Sequence, residues 1–172
     1  MRSSKRSAAP RRSSPSRITP VPGLEDLYRE IILDHYRNPR NRGELESPPA
    51  LRVEGFNPLC GDEITVYLNV NDGVLEDIKI AGHGCSISQS SSSLMSAAVK
   101  GKSLSDVRSV IDTFKQLMTV HESSLENDIE QAPVDLRALG ELAALQGVVK
   151  FPVRIKCATL AWNTLTQGLD EI

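Results

Sequence analysis

Three short runs of alternating side chains confine what this chain can fold into. Leu51, Val53 and Gly55, then Ile64, Val66, Leu68 and Val70, then Ile78 and Ile80 recur with a period of two, the spacing of strands that bury one face. Asn71-Asp72-Gly73 separates the second run from the third, and these residues tolerate positive φ, which marks a hairpin. The prediction is a small antiparallel sheet of about three strands.

Helical periodicity flanks this block. Leu24, Leu27, Tyr28, Ile31, Ile32 and His35 share one helix face. Asn38 ends that helix because Pro39 forces the residue before it out of the helical region. A loop rich in Pro, Gly and charge covers residues 38–49. After Cys85 a serine-rich helix is expected to Lys100. Ser103 and Asp106 then form a capping-box variant for a helix whose buried face is Val107, Val110, Ile111, Phe114, Leu117 and Met118. A polar link with Glu122, Glu126, Asp128 and Glu130, and holding His121, should lead to a short helix from about Asp135 to Gln146, closed by Gly147. Pro152 suits the first turn of a last helix that runs to about Gln167, with Gly168 beyond it and Trp162 in its core. Strands followed by helices give an α+β class, a three-stranded antiparallel sheet packed against four to five helices.

The charge is unevenly placed. Arg2, Lys5, Arg6, Arg11, Arg12 and Arg17, with no acid, give residues 1–23 a charge of +6, while residues 24–172 hold 14 bases and 22 acids and carry −8. The first part is rich in Ser, Arg and Pro and has no bulky apolar side chain between Met1 and Ile18, so it is expected to be a disordered tail. Pro10, Pro15 and the missing apolar face argue against an amphipathic transit peptide. Residues 24–172 are expected to form one domain. An acidic body opposes nucleic acid as the main partner, since phosphate neutralisation needs clustered Lys and Arg. No apolar stretch is long enough to span a membrane.

Cys60, Cys85 and Cys157 are the three cysteines. An odd number at wide spacing excludes a closed disulfide framework within one chain, and without an apolar signal segment the expected location is the reducing cytoplasm, where scattered thiols point to metal or catalysis. Cys60 and Asp62 flank Gly61 in a loop opened by Asn57-Pro58. Gly61 lets both side chains converge, and a thiolate with a carboxylate two residues on makes half of a tetrahedral metal site. Cys85 closes Gly82-His83-Gly84-Cys85 at a helix start, where unpaired N–H groups lower a thiol pKa. Cys157 lies early in the last helix. The competing reading of each is a small buried hydrophobe.

Four segments in order carry a resemblance. Leu33-Asp34-His35-Tyr36-Arg37-Asn38-Pro39-Arg40-Asn41-Arg42-Gly43, Cys60-Gly61-Asp62, Gly84-Cys85-Ser86-Ile87-Ser88 and Arg154-Ile155-Lys156-Cys157-Ala158 resemble the iron-sulfur cluster assembly proteins of the NifU N-terminal and IscU class. The match runs from about Leu24 to Leu169. Lys156 stands where IscU scaffolds carry a histidine ligand, and residues 119–150 look like an insertion; both features resemble the SufU branch.

That resemblance implies zinc held by Cys60, Asp62, Cys85 and Cys157. It implies Cys60 as the catalytic thiol that receives persulfide sulfur from a SufS-type cysteine desulfurase and passes it to a SufBCD-type assembly complex, a sulfurtransferase-like role. Arg154 and Lys156, beside Cys157, would offset the residual charge of about −2 left when three thiolates and a carboxylate meet Zn²⁺. His83 then reads as a polar loop residue, since Asp62 completes a set of four, and His35 as a packed or surface side chain. Two alternatives stay open: a scaffold on which a [2Fe-2S] cluster is assembled, because thiolates ligate iron as well as zinc, and a structural zinc module. A protonated Lys156 cannot ligate metal, which favours zinc and sulfur transfer. No P-loop, dinucleotide-binding glycine pattern or His-Glu-x-x-His motif occurs in the chain.

Overall fold

A computed structural model describes residues 23–123 and 134–172; residues 1–22 of the basic segment, and Glu126, Asp128 and Glu130 of the expected link, lie outside the described residues. Helix α1 (Leu24–Arg37) leads to strands β1 (Leu51–Asn57), β2 (Asp62–Asn71) and β3 (Val74–His83). Helices α2 (Ser86–Val99), α3 (Leu104–Ser123) and the single turn α4 (Leu136–Leu139) follow, then a 3₁₀ segment (Gly140–Lys150) and α5 (Pro152–Asp170). The three strands pair antiparallel in the order β1-β2-β3, as the alternation predicts. Asp72 and Gly73, both at positive φ, make the two-residue turn between β2 and β3.

One face of the sheet is the core. Val53, Ile64, Val66, Leu68, Ile78 and Ile80 are buried there with Trp162, Leu165 and Leu169 of α5 and Leu94, Met95 and Val99 of α2. Gly55 permits close approach of α5: a Cβ there would stand 2.0 Å from Thr164 Oγ1. Gly168 has the same use, its absent Cβ leaving room for Leu68 and Val53. It is therefore an interior residue of α5, two positions short of the helix end, and not the terminator that its sequence position suggested.

Other boundaries also move. α3 continues through His121 and Glu122 to Ser123, because Val120-His121-Glu122-Ser123 contains no Gly or Pro to break it. The helix expected over 135–146 stops after one turn, where Gly140 adopts φ 57°, and the chain continues as 3₁₀ to Lys150, past Gly147. Leu27, placed on the buried face of α1, is exposed. His35 is packed: Nδ1 lies 2.7 Å from Ser93 Oγ and Nε2 3.1 Å from Glu141 Oε2.

The serines of α2 are structural. Ser88, Ser90, Ser91, Ser92, Ser93 and Ser96 are all buried. Ser90 and Ser92 donate to carbonyls four residues back, at 2.6 and 3.1 Å, which satisfies hydroxyls that burial would otherwise penalise. Ser91 faces α5, donating to Ala158 O at 2.6 Å and accepting from Trp162 Nε1 at 3.1 Å. This pair ties the part of α5 next to Cys157 to the helix that Cys85 begins. Among the described residues no helix is long and apolar enough to cross a membrane.

Candidate metal centre

Three chain segments deliver the thiols to one end of the sheet. β1 ends at Asn57, whose carbonyl accepts from the N–H groups of Cys60 (3.3 Å) and Gly61 (2.8 Å). The Asn57 side-chain oxygen accepts from Leu59 N at 3.1 Å. With Gly61 at φ 68°, these bonds shape a turn that presents Cys60 at the surface and returns the chain to β2 at Asp62. Asp62 is only 1 % exposed.

Burying an ionised carboxylate requires hydrogen bonds or an opposite charge. Asp62 Oδ1 accepts from Cys85 N at 2.9 Å, and Oδ2 lies 3.7 Å from Cys85 Sγ. Cys85 is the N-cap of α2, its sulfur accepting from Ser88 N at 3.4 Å. Cys157, on the second turn of α5, is buried with its Sγ 3.5 Å from Cys60 Sγ. For comparison, thiolates on one tetrahedral zinc stand roughly 3.8 Å apart, given Zn–S near 2.3 Å.

Donor atoms of Cys60, Asp62 and Cys157 all lie within 4.8 Å of one another. Cys85 stands just outside that mutual set, held by the Ser88 cap and joined to it through Asp62. Burial, the contact with Cys60 and the nearby Cys85 push the Cys157 thiol pKa upward. A thiol held protonated in this way must release its proton for metal to bind, so affinity rises with pH. The donor set suits a borderline-soft divalent ion: sulfur dominates, and one oxygen completes it.

The remaining sequence candidates divide. Arg154 and Lys156 are exposed on the first two turns of α5, and among the described residues neither makes an ion pair with Asp62. His83 is exposed, its Nδ1 3.8 Å from Glu63 Oε2 and outside the thiol group. Exposed apolar side chains border the centre: Leu59 (68 % exposed) precedes Cys60, and Phe151 and Val153 (66 %) open α5.

Sequence reasoning missed Gly84 as more than a flexible residue. A Cβ there would fall 2.6 Å from Asp62 Oδ1 and 2.9 Å from its Cγ, so glycine is what lets the carboxylate reach Cys85 N. Gly84→Ala is expected to displace Asp62 and weaken zinc binding about 10- to 100-fold, the range seen when support of a ligand is lost. Competition with a chromogenic chelator measures this, and wild-type affinity would contradict it.

Comparison with known proteins finds a match to the NifU-like N terminal domain model over residues 27–158. The zinc-dependent sulfurtransferase SufU of Bacillus subtilis (strain 168) is 42% identical over 148 residues, 86% of this chain and 92% of the relative. The iron-sulfur cluster assembly scaffold protein IscU of Streptococcus pyogenes serotype M1 is 38% identical over 148 residues, 86% of each chain. Among solved structures, an iron-sulfur cluster assembly scaffold protein for the SUF system from Fervidobacterium islandicum AW-1 superposes with a TM-score of 0.70 at 30% identity, covering 86% of this chain and 99% of that one.

Proposed function

Because the chain belongs to the NifU-like N-terminal domain family, we propose that it works in iron-sulfur cluster assembly as a zinc-dependent sulfur-transfer protein, with Cys60 accepting persulfide sulfur from a cysteine desulfurase. The observation that carries this reading is the contrast within one thiol group. Cys60 is exposed on a turn, while Cys157 and Asp62 behind it are buried. Cys60, Asp62, Cys85 and Cys157 would hold the metal. Bound zinc would keep the thiols deprotonated and shielded from oxidation.

The chain's own residues account for the rest. The turn anchored by Asn57 holds Cys60 outward, where a partner's persulfide can reach it. The Cys60 thiolate attacks the outer sulfur of the desulfurase Cys–S–SH. Its electron pair forms the new S–S bond, and the pair of the old bond leaves with the desulfurase sulfur, which takes up the proton. One sulfur atom moves, and no external oxidant or reductant is used. Leu59, Phe151 and Val153 give the partner apolar surface around the thiol. Passage of the sulfur to a SufBCD-type complex would follow by the same exchange.

A second reading, a scaffold for a [2Fe-2S] cluster, draws support from the three thiols and from the scaffold names of relatives. Lys156, whose ammonium has no lone pair to offer, weighs against it. The deciding experiment is to purify the protein without a metal-binding tag, quantify zinc and iron, and follow alanine release by the cognate desulfurase. Stoichiometric zinc with strong stimulation is expected. An iron-sulfur spectrum and cluster delivery without stimulation would favour the scaffold.

A further inference from the structure

Asn57 is 6 % exposed, and its side-chain Nδ2 has no hydrogen-bond partner among the described residues. The orientation of the amide is settled by chemistry: Leu59 N–H donates to one side-chain atom, which must be the oxygen, so the NH₂ group points the other way. A buried donor left unpaired costs free energy, and native structures keep few of them.

The position of this donor is defined by the sheet. Asn57 pairs directly with Asp62 across β1 and β2, and directly opposed residues share a sheet face with Cβ atoms about 5 Å apart. The face is the one covered by α5, as Val53 and Gly55 in the same phase meet Gly168 and Thr164. Cys157 lies about two turns earlier in α5 than Thr164, toward the same end of the sheet as Asn57. The unpaired N–H group therefore belongs to a side chain on the same sheet face, and at the same sheet end, as Asp62 of the group formed with Cys60 and Cys157.

We infer that Asn57 binds the transferred sulfur, its Nδ2–H donating to the terminal sulfur of the Cys60 persulfide, an inference that rests on the sulfur-accepting role of Cys60. The bare Cys60 sulfur makes no hydrogen bond with Nδ2. A persulfide extends the side chain by one S–S bond, about 2.05 Å, and places its negative charge on the added atom. The same residue thus shapes the turn through its oxygens and holds the transferred sulfur through its nitrogen. A bond to a charged acceptor outweighs a neutral one, so the loaded state gains more than the unloaded state.

Asn57→Asp separates the two roles. It keeps the side-chain oxygen that accepts from Leu59 N and removes the donor. Zinc-loaded wild type, Asn57→Asp and Asn57→Ala are each loaded by the desulfurase, separated from it, and the Cys60 persulfide is followed by mass spectrometry after alkylation, alongside zinc content and melting temperature. Asn57→Asp is expected to retain zinc and the fold while its persulfide decays about tenfold faster. Persulfide lifetimes equal to wild type in Asn57→Asp would overturn the inference. Should Asn57→Asp lose zinc through its added charge, Asn57→Ala carries the comparison, and loss of zinc in both assigns Asn57 to building the turn alone and overturns the donor role. Absence of a Cys60 persulfide in wild type would instead overturn the proposed function.

Discussion

Removing zinc from the loaded protein with a chelator is expected to lower its thermal midpoint by on the order of 10 °C. Structural zinc can contribute on the order of 10 kcal/mol where no fold exists without it. Here a core of Trp162, Phe114, Leu68 and Ile78 is buried independently of the site, so the loss should be a fraction of that. A few kcal/mol corresponds to roughly 2–4 °C each in a chain of this size. The metal would join the β1–β2 turn, the start of α2 and the start of α5, segments otherwise linked near the site by the Asp62 contacts and the Ser91 bonds to α5. Calorimetry before and after chelation measures the shift. Hydrogen exchange should show faster opening at residues 58–62, 85–88 and 153–157, with Val66 and Ile80 unchanged. A midpoint that moves by less than about 2 °C would deny the metal any structural role.

Patterns that repeat along the chain were legible without coordinates. The alternation at Ile64, Val66 and Leu68, the Asp72-Gly73 turn and the Ser103 cap, which accepts from Asp106 N at 3.2 Å, all recur in the fold. What escaped depends on distant partners. Gly168 looks like a helix stop until Leu68 and Val53 are seen against it, and Gly84 looks like flexibility until the Asp62 carboxylate is found in its place. Gly140 breaks α4 by a conformation that glycine permits but does not announce. The thiol group was legible as a set of residues, whereas the position of Cys85 at its edge follows from a local competition: its sulfur caps α2 through Ser88 N. Asn57 could have been found from sequence, since the period of two that begins with Leu51, Val53 and Gly55 puts its side chain in the buried phase. A buried amide beside a thiol loop is a signal that periodicity carries.

Cys60→Ala is expected to reduce stimulation of the desulfurase at least 100-fold, to the level seen without the protein, while leaving a folded chain. Position and exposure both single out this thiol. Cys157 is buried, and Cys85 is half-buried and engaged as a helix cap; neither can meet a partner's persulfide without opening the structure. Cys60 is exposed on a turn held by backbone bonds to Asn57 that alanine would also make. Cys60→Ala also removes one of the four proposed zinc ligands, so zinc content and melting temperature are measured beside turnover. It should still disturb the fold less than Cys157→Ala, which truncates a side chain buried in α5 as well as removing a ligand. Alanine release by the desulfurase, measured without added thiol reductant so that only a protein acceptor can sustain turnover, gives the readout. Cys60→Ser adds a control, since serine restores an oxygen of similar size that cannot form a persulfide, and it should be as inactive as alanine. Undiminished stimulation by Cys60→Ala would move the acceptor to another thiol and remove the reason to treat the exposed member of the group as the working one.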